Sequence, residues 1–293
     1  MIEIRADNTI LMDGVFVSYV CPNPALVADI YTAMDMKNSD NLARLEDVLD
    51  DSPIVQVKKI DVKDPPRRKE TCFKGVLSDL VSTCDRTTTW INATSGGRLP
   101  FWTMFELAPK GRIGPQGSKD WGFTPLTITM NKKKLDEQST EEFKSLFIEL
   151  CTTVQAFYGY CTENSIRAQW LLYLAQAAEN VFERKQVPDF DMELPDIYWL
   201  NYFGPGYVDF WGEEKIAALK KAYPVTEDTH RGILVDATGE PVFADDAITR
   251  ITAYDFKKSM YEILGYNTFM HETHQPGDRG ENVPTLEYHR QYV

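Results

Sequence analysis

Residues 124–161 constrain the fold more than any other stretch of this chain. A β-branched run, TPLTITM (124–130), is followed by Ser139-Thr140-Glu141-Glu142, a capping-box pattern, and then by Phe143, Phe147, Leu150, Val154 and Phe157. The apolar steps of 4, 3, 4 and 3 residues describe one face of an α-helix. A strand feeding directly into a one-sided helix requires a sheet with helices laid against it. Tyr158-Gly159-Tyr160 reads as the end of that helix.

The same logic runs through the rest of the chain. ILMDGVFVSYV (10–20) reads as two strands around an Asp13-Gly14 turn. Asn23-Pro24 reads as a helix start, with Leu26, Ile30 and Ala33 on its apolar face. A short helix over 40–49 carries Leu42, Leu45 and Leu49, and PIVQVKKI (53–60) reads as an edge strand. A helix over 68–83 follows the turn KDPPRRKE, and two strands occupy 87–107. The glycine- and proline-rich stretch 108–122 reads as a loop. A long apolar pattern covers 164–184. IYWLNYF is strand-like, with Gly204-Pro205-Gly206 as a turn, and 207–222 reads as a helix. Two short strands flank Asp236–Gly239, and a last helix spans 252–264.

Hairpins and strand–helix units both occur. The expected fold class is therefore α+β, a mixed, mostly antiparallel sheet packed with amphipathic helices. The expected organisation is an N-terminal α/β half (1–120), an α+β half (121–275) and a loosely held tail (276–293), or else one continuous domain. Residues 10–35 and 123–157 share a strand–turn–helix order, which fits either two related halves or a common unit used twice.

Charge narrows the partners. The chain has 44 acidic and 31 basic residues, a net charge of −13. Such a chain repels phosphate backbones and anionic membrane surfaces, so nucleic acid and membrane are not expected partners. It attracts a basic protein and accelerates the encounter, although acidity also simply aids solubility. Five cysteines, widely spaced and without C-x-x-C, give neither a disulfide framework nor a zinc motif. With no signal-like N-terminus, the expected compartment is cytoplasmic. The oligomeric state is not legible in the sequence.

Chemistry-bearing motifs are sparse. The sequence contains no G-x-S-x-G, P-loop or G-x-G-x-x-G pattern. His271 and His274, at i and i+3, are a weak alternative metal pair, and a solvent-exposed turn is the plainer reading. No cofactor or metal is expected. The acids Asp189, Asp191, Glu193 and Asp196 lie in a segment bounded by Pro188 and Pro195. Rigidly held carboxylates lose little freedom on binding. With Asp245 and Asp246, they are the candidate partner-binding residues. The aromatics from Trp199 to Trp211 fit core packing, or an anchor patch for a protein partner.

Two stretches also carry a resemblance. TPLTITM with EEFKSLFIELCTTVQAFYGYC, followed by LPDIYWLNYFGPGYVDFWGEEKI and HRGILVDATGEPV, is similar to the immunity proteins of bacterial polymorphic-toxin and type VI secretion systems, mainly over 124–242. The features that match are Tyr158-Gly159-Tyr160, the Trp199-containing strand and Trp211-Gly212. Cys161-Thr162 stands where the family usually has alanine-glycine. The resemblance implies a non-catalytic cytoplasmic protein that binds and neutralises a cognate toxin, a basic one given the charge. The alternatives are an enzyme of unrecognised class, such as a carboxylate- or histidine-based hydrolase, and an inhibitory accessory protein of a phage or mobile element.

Overall fold

The computed structural model describes residues 2–4, 9–12, 15–19, 25–36, 38–54, 59–64, 69–73, 90–94, 103–107, 123–132, 135–164, 166, 190, 194–242, 257–269 and 283–293. Three strands, β1 (Ile2–Ile4), β2 (Thr9–Met12) and β3 (Val15–Tyr19), form a small antiparallel sheet. β2 and β3 pair antiparallel, with Met12 opposite Val15, as the two expected strands should.

The remaining strands are β4 (Ala25–Thr32), β5 (Lys59–Asp64), β6 (Lys69–Phe73), β7 (Trp90–Thr94), β8 (Thr103–Leu107), β9 (Thr124–Asn131), β10 (Ala156–Glu163), β11 (Leu200–Phe203), β12 (Val225–Glu227) and β13 (Ile233–Asp236). They make one ten-stranded sheet in the order β12-β13-β11-β10-β4-β9-β8-β7-β5-β6, antiparallel throughout. With helices on both of its faces, the chain is α+β. The sheet takes strands from both sides of residue 120, and β4 lies between β9 and β10.

Helices α1 (Ser39–Asp51) and α2 (Glu137–Thr153) cover one face. Leu42, Leu45, Phe143, Phe147 and Leu150 meet Leu26, Ala28, Ile30, Leu126, Ile128 and Leu200 there. Helix α3 (Pro205–Ala222, broken at Gly212) and α4 (257–264) cover the other. Tyr207, Trp211, Leu219, Met260 and Leu264 join Tyr31, Tyr158, Tyr160, Phe203 and Val235 in that second core.

Double coverage explains the largest departure from expectation. Residues 25–32 form a strand, not a helix, and all eight are buried. A strand covered on both faces reads as a near-continuous apolar run, and Leu26 and Ile30 satisfy strand and helix spacing alike. Asp29 is tolerated inside because Thr127 Oγ1 (2.6 Å) and Tyr160 Oη (2.7 Å) donate to it.

Other boundaries move for local reasons. Helix α2 is capped by Asp136, three residues before the expected position. Its carboxylate accepts from Ser139 N (2.8 Å), and Ser139 Oγ accepts from Asp136 N (2.9 Å). The helix ends at Thr153, so Tyr158-Gly159-Tyr160 lies inside β10, and Phe157 faces the second core. Residues 69–73 form a strand antiparallel to β5 where a helix was expected, and the edge strand expected at 53–60 begins only at Lys59. Gly204 caps α3 with Pro205 at its first turn, rather than forming a separate turn. The partner of β13 is β12, which precedes it, instead of residues after Gly239.

The strand–turn–helix unit expected at 10–35 is not formed there, because 25–32 is a strand. β4–α1 and β9–α2 are the two strand–helix units. Their strands pair along their whole length, and both helices pack into the same core. The long pattern at 164–184 and the loop at 108–122 lie almost wholly outside the described residues.

Candidate partner-binding face

The face is built around the loop joining β12 to β13. Asp228 opens this loop and holds it by four hydrogen bonds. Its carboxylate accepts from His230 N (2.8 Å), Gly232 N (2.7 Å), Tyr202 Oη (2.5 Å) and Thr152 Oγ1 (3.3 Å). Burial pushes the Tyr202 phenol far above its ordinary value, so it stays a donor. A Cβ at Gly232 would stand 2.2 Å from Tyr202 Oη, so only glycine lets the loop seat this low.

The pinned loop sets His230 over a cleft of about 310 Å³, lined also by Arg44 and Asp47 of α1 and by Thr152, Thr153 and Gln155. The side chains of Arg44, Asp47 and His230 make no hydrogen bond or ion pair among the described residues. They offer charge and donors of both kinds to an incoming group. Gln155 (φ 47°) lines the cleft and Arg231 (φ 70°) follows His230. These are the two non-glycine residues with positive φ among those described. Each such backbone costs on the order of 1 kcal/mol, and strain of this kind gathers at functional sites.

Beyond the loop, Arg231 pairs with Asp209 of α3, which also accepts from Tyr292 Oη (2.9 Å). Phe210 beside it is 41% exposed, and its ring meets the edge of Tyr288 at 6.5 Å. Tyr288 in turn contacts Tyr292 at 5.7 Å. A charged cleft, a rigid loop and an aromatic ladder, of which Phe210 is exposed and Tyr288 and Tyr292 are half-buried, therefore adjoin. Protein recognition uses such a combination, since aromatic and arginine anchors carry most binding energy.

Of the acids singled out from sequence, Asp196 is the one that the structure describes. Asp196 is engaged within the fold. It accepts from Ile197 N (2.7 Å), from Tyr261 Oη (2.5 Å) and from Lys257 Nζ, tying the 194–199 segment to α4. Asp189, Asp191, Glu193, Asp245, Asp246, His271 and His274 lie outside the described residues. Among the described residues there is no group of three or more His, Cys, Asp or Glu able to hold a metal. EDTA is expected to leave the melting temperature unchanged. A drop of several degrees, restored by zinc, would bring His271 and His274 back as ligands. Cys151 and Cys161 are buried, and burial pushes both thiols well up, which makes them poor nucleophiles.

Sequence reasoning passed over the Asp228 loop. Its signal was the short interval from Asp228 to Gly232 between two apolar segments.

No protein-family model and no curated protein sequence matches the chain. Among solved structures, it is similar to the Pseudomonas aeruginosa T6SS protein PA0821, with a TM-score of 0.56 and 13% identity. The match covers 94% of this chain and 82% of that one. At this identity the likeness is one of fold. Among the described residues, no helix is long and apolar enough to cross a membrane.

Proposed function

We propose that this chain serves a type VI secretion system as an immunity protein, binding a cognate toxin domain and holding it inactive. The observation that carries this reading is the fold shared with a T6SS protein over 94% of the chain. Two features support it. The cleft, the pinned loop and the flanking aromatics form a ready surface for a protein, with little reordering needed on binding. The net charge of −13 suits a basic toxin, which would be drawn in over long range. In this reading the protein acts by occlusion, needs no cofactor, and works in the cytoplasm where the toxin would otherwise act.

The test is protection. The protein encoded by the gene adjacent to this chain's own is expressed as the candidate toxin from an inducible promoter, with and without the chain. The reading predicts growth arrest alone and restored growth on co-expression. Continued arrest, with both proteins present and soluble, contradicts it.

A further inference from the structure

The C-terminus ends in a short strap. Residues Leu286–His289 form one helical turn (α5) and Arg290–Tyr292 continue as a 3-10 turn. A loosely held tail was expected here, but His289 is 1% exposed. Its ring stacks on Phe157 of β10 (centroids 5.0 Å apart, 26° between planes) and lies 4.5 Å from the Tyr207 ring of α3. The backbone of α3 comes so close that a Cβ at Gly206 would stand 2.4 Å from His289 Nδ1.

Among the described residues neither ring nitrogen has a hydrogen-bond partner, and both are buried. That is an unusual position for an imidazole, because a buried polar atom without a partner carries its full desolvation cost. A neutral ring can be held there by stacking. A protonated one needs two acceptors, and the described residues around it supply a hydrogen bond to neither nitrogen. From β10 the strap meets Phe157, which carries no charge. From α3 it meets Gly206 and the Tyr207 phenol. On the strap itself, Tyr288 lies 6.4 Å away, and Glu287 is paired with Arg290 at 2.8 Å. The nearby carboxylate of α3, Asp209, is taken by Tyr292 and Arg231.

We propose that His289 is an acid-released latch: neutral, it pins the C-terminal strap against α3 and β10; protonated, it lets the strap go. Release frees Asp209 from Tyr292 and uncovers Tyr207 and Phe157, remodelling one flank of the face described above. The latch itself stands whether or not that face binds a toxin.

The direction of the effect follows from linkage. Burial pushes the docked imidazole down to about 3, against about 6.5 when the strap is free. Docking is therefore at full strength above about 6.5 and weakens as pH falls through the window toward 3, because only the released strap takes up the proton. Between pH 7.5 and 5.0 the released fraction should rise about 30-fold.

Carboxypeptidase trimming from Val293 reads that fraction. Rates are divided by those for a free peptide of residues 283–293, which removes the protease's own pH dependence, and circular dichroism confirms that the body of the protein stays folded at pH 5.0. The corrected rate should rise about 30-fold in the wild type and less than about twofold in His289→Phe, which keeps a stacking ring without a proton. A flat wild-type profile, or the same rise in His289→Phe, overturns the latch. If His289→Phe is trimmed freely at both pH values, NMR of the wild-type His289 ring decides. A ring that stays neutral while docked, its signal passing to a released state in acid, supports the latch. A ring titrating near 6.5 with the strap still bound overturns it.

Discussion

Replacing Trp199 by alanine should lower stability by about 3–5 kcal/mol, the usual range when a large buried aromatic is truncated. For a chain of this length that is a fall in Tm on the order of 10 °C. Trp199 is 2% exposed and packs in the core between the sheet and helices α1 and α2. It sits one residue before β11, and its carbonyl accepts from Ala237 N (2.8 Å), so the backbone around it is held and cannot easily collapse into the void. The indole Nε1 is buried without a hydrogen-bond partner among the described residues, so the ring contributes there by packing. Trp199→Phe should accordingly cost about half as much or less, because it keeps most of the ring volume and removes an unsatisfied donor. Urea denaturation of both variants checks this. An alanine variant as stable as the parent would mean that Trp199 is not a core residue.

Asp228→Ala is the second large effect. It removes the acceptor of four hydrogen bonds, one of them from a Tyr202 hydroxyl on a strand buried along its whole length. Loss of about 2–3 kcal/mol is expected, since these bonds run to a charged group and leave a buried donor unpaired. Relaxation of Arg231 out of its left-handed conformation offsets a fraction of that. The variant should also blunt partner binding about 10- to 100-fold, because the loop that positions His230 must then be ordered at the moment of binding. Tyr202→Phe separates the two roles. It removes one donor and leaves the two backbone bonds to His230 and Gly232, so it should cost stability while sparing most of the affinity. Thermal melts paired with binding assays on the three proteins check the account. Asp228→Ala indistinguishable from the parent in both would show that the loop does not depend on this residue.

How far the sequence reveals the fold depends on how each element is covered. α2 was legible because it is one-sided: Phe143, Phe147 and Leu150 face the sheet and the opposite side faces water. β9, which feeds it, was legible from its β-branched residues. β4 was not, because a strand buried on both faces loses the alternation that marks a strand, and Leu26 and Ile30 then mimic a helix. β10 was hidden for the same reason and was read as the tail of α2. β6 was missed because its pairing with β5 is a tertiary fact that overrides local propensity.

The candidate face was almost invisible in the sequence. Arg44, Thr153, Gln155 and His230 come from three distant segments, and only the β4–α1 and β9–α2 units packed side by side bring them to one cleft. Asp196 shows why a charge count cannot assign roles: its oxygens serve Ile197, Tyr261 and Lys257. From sequence His289 could be read only as a possible third ligand beside His271 and His274, because its packing partners Phe157 and Tyr207 are far away in the chain.

The most direct test of the proposed function is a kinetic binding measurement between this chain and the candidate toxin that arrests growth in the protection test, at low and physiological salt. The wild type should bind with a Kd in the nanomolar range or tighter, with an association rate that falls about tenfold or more as salt rises. Thr153→Arg, which fills the cleft and adds a cation facing a basic partner, should weaken binding at least about tenfold, while Lys258→Glu on α4, across the sheet from α1 and α2, should leave it within about twofold. No association by the wild type would contradict the proposed function itself. Tight association unaltered by Thr153→Arg would contradict the placement of the binding face at the Asp228 loop.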